Sequence, residues 1–256
     1  MDRLGEAIQV LDDAIRILPA GEAAVLVELP PSAVLPFTAA VQADPHPGVS
    51  DLVPAERTLL VRFRPEQVRP AQLVTWLRSI RYASLRPAPG PLVELGVHYD
   101  GADLAEVGRL IGRTGPELIA AHTGQDWVVA FSGFAPGFGY LRAATSESPA
   151  GDPAGADWLA IPRRPQPRVR VPAGSVALAA GYCGVYPRAS PGGWQLIGRT
   201  AELLWNPDQD PPARLRPGVR VRFHDLDAGP GPGAEPDRTE RIDQGLAQDA
   251  AQRAGC

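Results

Sequence analysis

The sequence predicts a small α+β domain followed by a mostly β domain, closed as a barrel or packed as a sandwich. Three observations carry this. Strand-like and helix-like apolar spacings alternate over residues 15–85. Three prolines within Arg86–Pro91 oppose both a helix and a central strand, and so mark a linker. Beyond Asp126 the apolar runs become short and are separated by Gly and Pro turns, the pattern of a β-sandwich or barrel. The expected organisation is an N-terminal extension (1–14), an α+β domain (15–85), a Pro-rich linker (86–91), a mostly β barrel or sandwich domain (92–225) and a disordered tail (226–256).

Each element has its own warrant. Residues 15–29 read as two strands around a Pro19-Ala20-Gly21 turn. A weak helix is expected from Ala33 to Gln42, with Pro36 in its first turn, where a missing N–H costs little. Thr58–Phe63 is the clearest strand of this half. Pro70–Ala83 is the clearest helix, because Leu73, Trp76, Leu77 and Ile80 recur at i, i+3, i+4 and i+7. Leu92–Tyr99 reads as a strand and Asp103–Gly112 as a helix. Thr114-Gly-Pro-Glu117 has the form of a capping box before Leu118–His122. Strands are expected at Trp127–Phe131, Ser175–Ala180, Trp194–Ile197 and Val219–Phe223. The residues after Asp225 have few large apolar side chains, hence the disordered tail.

Composition excludes several classes. At 44% hydrophobic the chain can bury a core, and a net charge of −4 argues against nucleic acid or an anionic membrane as partner. No apolar run reaches the ~20 residues of a membrane span, and no basic head with a long apolar stretch opens the chain, so a cytoplasmic protein is expected. The scattered histidines and two cysteines lack metal-ligand spacing. All 25 basic residues are arginine, which removes the lysine phosphate loop and Schiff-base chemistry. There is no Gly-x-Ser-x-Gly elbow. Cys183 reads as a buried thiol rather than a nucleophile. Asp100, Asp103 and Glu22 read either as general bases or as turn and cap residues, and turn and cap is the favoured reading.

Binding residues concentrate in three runs. Arg163, Arg164, Arg168 and Arg170 place four guanidinium groups in eight residues. In an extended chain Arg168 and Arg170 share a face while Val169 and Val171 point to the core. Converging arginines suit a carboxylate or a phosphate. Ser190–Thr200 sets Gln195 and Arg199 beside Trp194, Leu196 and Ile197, with Gly192, Gly193 and Gly198 allowing close backbone approach. Phe131–Tyr140 offers Phe134, Phe138 and Tyr140 as an aromatic pocket wall. The chain has a pocket without a catalytic engine, which points to a subunit that completes its site with a partner.

Phe131–Leu141, Pro162–Ala177 and Ser190–Thr200 closely resemble, in order, the family of 5-oxoprolinase B subunits, over about residues 15–224. Its members also carry the names allophanate hydrolase subunit 1 and Kip-type inhibitor of a histidine kinase, and the same module is one half of the carboxyltransferase region of urea carboxylase. The resemblance implies a cyclophilin-like closed β-barrel after an α+β domain. It implies a cyclic-amide hydrolase component that works with the A and C subunits, using ATP, as Mg-ATP bound with a partner, to open 5-oxoproline to glutamate. Alone it is expected to be inactive. The alternatives are a Kip-type kinase inhibitor and one half of a biotin-dependent urea carboxyltransferase, which needs a separate biotin carrier. Carried onto this chain, the substrate- or nucleotide-binding residues are Arg163, Arg164, Arg168, Arg170, Ser175, Gln195 and Arg199. In that assignment the arginines hold a carboxylate or phosphorylated intermediate and Gln195 orients an amide. The chain departs from the family at Gly139, usually proline, at Arg142–Thr145, usually Gly-Gly-Leu-Asp, at the insertion 146–156, and at Gly21-Glu22, usually Gly-Asp.

Overall fold

Alternating burial along Thr58–Phe63 places Leu59, Val61 and Phe63 in the N-terminal core, as a half-buried strand requires. The computed structural model describes residues 8–11, 15–83, 90–144 and 159–228. In order these carry β1 (Ile8–Val10), β2 (Ile17–Pro19), β3 (Ala24–Glu28), α1 (Pro31–Ala43), β4 (Val49–Pro54), β5 (Thr58–Phe63), α2 (Pro70–Ser79) and β6 (Arg81–Ala83). Then follow β7 (Leu92–Val97), α3 (Leu104–Leu110), α4 (Gly115–Thr123), β8 (Trp127–Ser132), β9 (Gly139–Ala143), β10 (Arg168–Val171), β11 (Ser175–Ala179), β12 (Tyr182–Val185), β13 (Ser190–Gly192), β14 (Gln195–Arg199) and β15 (Arg220–Asp225). The described residues up to Asp225 belong to one compact unit. Most of the expected linker, the insertion at 146–156 and the tail beyond residue 228 lie outside the described residues.

The N-terminal part is an antiparallel sheet in the order β2-β3-β5-β4, covered by α1 and α2. Three expectations are corrected here. Pro36 lies inside α1, beyond its first turn; Pro31 takes the early position. The helix persists because Ala33, Val34, Phe37 and Val41 are buried, and that packing outweighs the lost backbone hydrogen bond. The helix expected over Pro70–Ala83 ends at Ser79, and Arg81–Ala83 turns extended to pair with Ile8–Val10. The first fourteen residues therefore supply a strand, and Leu11 joins the core.

The C-terminal part is a closed barrel. Seven strands run β14-β11-β12-β9-β8-β15-β7, with only the β15–β7 pair parallel. The circle closes where His98, just past β7, and Arg199 exchange backbone hydrogen bonds of 2.9 and 2.8 Å. Gly198 makes this seam possible, because a Cβ there would stand 2.6 Å from the His98 carbonyl oxygen. Leu95, Val97, Trp127, Val129, Val176, Leu178, Ile197 and Phe223 fill the interior. Val107 of α3 and Leu118 of α4 complete it, and α4 starts with the expected capping box between Thr114 and Glu117. Among the described residues no helix is long and apolar enough to cross a membrane.

A second cluster lies on the outer face of the β14-β11-β12-β9 strands. Phe138, Val171, Ala177, Ala179, Tyr186, Trp194 and Leu196 pack together, and the separate β10–β13 ribbon supplies part of them. β10 does not follow the expected alternation. Val171 is buried, but Val169 is 90% exposed. A register irregularity between Arg168 and Val171 shifts the pairing with β13, and such bulges re-aim side chains.

Candidate functional site

The 100–103 loop lies along the free edge of β14. The Gly101 amide donates to Ile197 O at 3.2 Å and the Asp103 amide to Leu196 O at 2.9 Å. Backbone of Ile197 and Leu196 fills the space where a Cβ at Gly101 would stand, so the loop can lie this close only with glycine there. Asp103 is thereby carried under the arginine-rich segment.

Its carboxylate organises the site. Arg164 Nη1 donates to Asp103 Oδ1 at 2.7 Å and Arg168 Nη2 to the same oxygen at 2.8 Å. The Leu196 amide donates to Oδ2 at 2.7 Å. Asp103 is almost fully buried, while both arginine side chains keep partial exposure. Burial works against the charged carboxylate. The hydrogen bonds from Arg168 and the Leu196 amide, with the charges of Arg168 and Arg164, outweigh it and hold Asp103 below the usual carboxylate range.

The cluster has unused polar capacity. Arg164 Nε, Arg168 Nη1 and Gln195 Oε1 are buried without a hydrogen-bond partner. Gln195 Nε2 donates to Pro162 O at 3.3 Å, and the Arg164 amide donates to Gly193 O at 2.7 Å. The 162–164 and 193–195 segments are thus laid side by side. Buried polar atoms are otherwise paired, so these two donors and one acceptor are the atoms here that a polar guest or an ordered water would satisfy.

The other expected residues go to different places. Arg163 is exposed beside the aromatic cluster, where its charge opposes the burial that raises the phenols of Tyr140 and Tyr186. Arg170 is exposed. Arg199 reaches outward to Asp100 at 2.8 Å, an exposed ion pair. Ser175 is buried in β11 opposite Arg199. Phe138 is a core residue at 1% exposure, its ring edge-on to Phe134, Tyr140, Tyr186 and Trp194. Phe134 stands 59% exposed at φ 67°, a strained backbone for a non-glycine residue. Of the ten residues expected, Arg164, Arg168 and Gln195 carry the unmet polar atoms.

Asp103, which the sequence presents as a turn or cap residue, does occupy the N-cap position of α3, but its side chain makes no cap hydrogen bond and ties the arginines together. Its partners lie 61, 65 and 93 residues away, a spacing that no local pattern reveals. A cleft of about 380 Å³ lined by Pro91, Val93, Asp210, Arg214, Arg216 and Val219 contains none of these residues, and Arg214 there is paired with Glu202.

Residues 15–215 match the family described as carboxyltransferase domain, subdomain C and D. The chain is similar to the B subunit of 5-oxoprolinase from Escherichia coli O157:H7, at 35% identity over 212 residues, covering 79% of this chain and 92% of that protein. It is similar to the crystal structure of TTHA0988, at 32% identity and a TM-score of 0.66, covering 83% of this chain and 42% of that one. This chain therefore spans less than half of that relative. The urea carboxylase of Kluyveromyces lactis shares the fold at 16% identity and a TM-score of 0.60, over 83% of this chain and 22% of that protein.

Proposed function

The chain belongs to the carboxyltransferase subdomain C and D family, and we propose that it is the B subunit of a cytoplasmic, ATP-dependent 5-oxoprolinase complex. The carrying observation is the pair of arginines fixed by Asp103, with donors to spare, beside a buried glutamine with an acceptor to spare. 5-Oxoproline offers a carboxylate for the guanidinium groups and a lactam N–H for Gln195 Oε1. Charge-assisted contacts of this kind are the strong ones.

In this reading Arg164 and Arg168 grip the carboxylate, and Gln195 orients the ring amide. Asp103 holds the two guanidinium groups together on one carboxylate oxygen. ATP, as Mg-ATP, is handled by the partner A and C subunits, which supply the activating chemistry. TTHA0988, of which this chain covers less than half, supports a working unit larger than this chain.

The test is reconstitution. This chain, purified with the A and C subunits, is expected to release phosphate only when 5-oxoproline is present, and to release none alone. Phosphate release from the full assembly that ignores 5-oxoproline rejects the reading.

A further inference from the structure

Arg164 and Arg168 bring two positive charges to the site, and Asp103 cancels one of them at 2.7 and 2.8 Å. The carboxylate cannot swing aside to admit a guest. Its Oδ2 is held by the Leu196 amide, its own amide by Leu196 O, and the loop before it by the Gly101 amide on Ile197 O. Each guanidinium also spends one N–H on Asp103, leaving Arg164 Nε and Arg168 Nη1 as unmet donors.

We propose that Asp103 sets the charge of the ligand: with Arg164 and Arg168 it forms a receptor for a single negative charge and disfavours a phosphate dianion. A monocarboxylate meets one unit of net positive charge and two free donors. A second negative charge on the ligand faces a fixed carboxylate in a poorly solvated place, where like charges repel strongly. Asp103 is thus a specificity-determining residue that admits the small acid and turns away the phosphates of a nucleotide. The charge rule stands on the geometry; only the identity of the acid rests on the 5-oxoproline reading.

The test follows the Arg Nε–H resonances of the full chain by NMR at pH 7.5 during titration with acetate, 5-oxoproline and methyl phosphate, a dianion at that pH because its second ionisation falls near about 6. Wild type is expected to bind acetate more tightly than methyl phosphate. In Asp103→Asn, which keeps an acceptor oxygen but loses the charge, the phosphate-to-acetate affinity ratio is expected to rise at least tenfold. An unchanged ratio, or no saturable response of wild type to acetate and 5-oxoproline, overturns the proposal. If Asp103→Asn fails to fold by circular dichroism, Arg168→Gln decides. Removing its charge is expected to weaken both anions at least tenfold, and unchanged binding overturns the proposal. Equal affinity for acetate and 5-oxoproline, with the charge preference intact, defeats the lactam reading and leaves the charge rule standing.

Discussion

The imidazole Nε2 of His122 lies 3.3 Å from the Cys183 sulfur, and both side chains are wholly enclosed by the barrel. The other ring nitrogen, Nδ1, is 2.8 Å from the Tyr99 hydroxyl. A thiol beside an imidazole resembles an activated nucleophile, but burial reverses the chemistry. It lowers His122 to about 3 and raises the Cys183 thiol well above its ordinary value. Both groups are neutral near pH 7, so this trio is a polar tie within the core. Cys183 is expected to resist a thiol reagent in native buffer and to react once the chain is unfolded. Rapid labelling of Cys183 in the native protein contradicts this.

The same burial predicts acid sensitivity. Unfolded histidine takes up a proton near 6.5, whereas folded His122 does so only near 3. The stabilising contribution is therefore complete above about pH 6.5 and is lost as pH falls toward 3, by about 1.4 kcal/mol per pH unit for one proton. Urea midpoints measured from pH 7.5 to 5 should fall, and His122→Gln should flatten the slope. An equal slope in the variant assigns the acid sensitivity elsewhere.

The barrel seam gives a third prediction. Gly198→Ala puts a methyl group 2.6 Å from the His98 carbonyl oxygen and 2.8 Å from Val97 Cγ1. Overpacking of this kind costs about 1–3 kcal/mol, so the thermal midpoint should fall by several degrees. An unchanged midpoint means that the seam opens without cost.

The irregular register of β10 is tested by two valines. Val171→Ser in the buried position should destabilise by at least about 1.5 kcal/mol, whereas Val169→Ser at 90% exposure should stay within about 0.5 kcal/mol. Equal losses restore the simple alternation read from the sequence.

Legibility follows the range of the interaction. Thr58–Phe63 is readable to the residue, because its alternation is local. The Thr114–Glu117 capping box is readable for the same reason. Arg81–Ala83 reads as helix because Ile80 continues the apolar period, while the strand that pairs with it, Ile8–Val10, lies at the far end of the domain's sequence. Gly139–Ala143 and Tyr182–Val185 are short and glycine-bearing, and only their barrel neighbours make them strands. In the site, the arginine run is visible as composition. Its sorting is not, since Arg164 and Arg168 turn to Asp103 while Arg199 turns to Asp100.

Under the proposed function, that sorting puts Arg164 and Arg168 in the site and leaves Arg199 outside it. Arg199 belongs to an exposed pair, which is worth about 0–1 kcal/mol, so Arg199→Gln should change kcat/KM of the assembled complex less than about fivefold. A loss as large as that of Arg168→Gln places Arg199 in the site.

The most direct measurement is the steady-state KM of the assembled complex for each substrate, comparing wild type with Arg168→Gln. Loss of one charge-assisted contact, about 1.5–3 kcal/mol, is expected to raise KM for 5-oxoproline at least tenfold and leave KM for ATP within about twofold. A raised KM for ATP with 5-oxoproline unaffected contradicts the account.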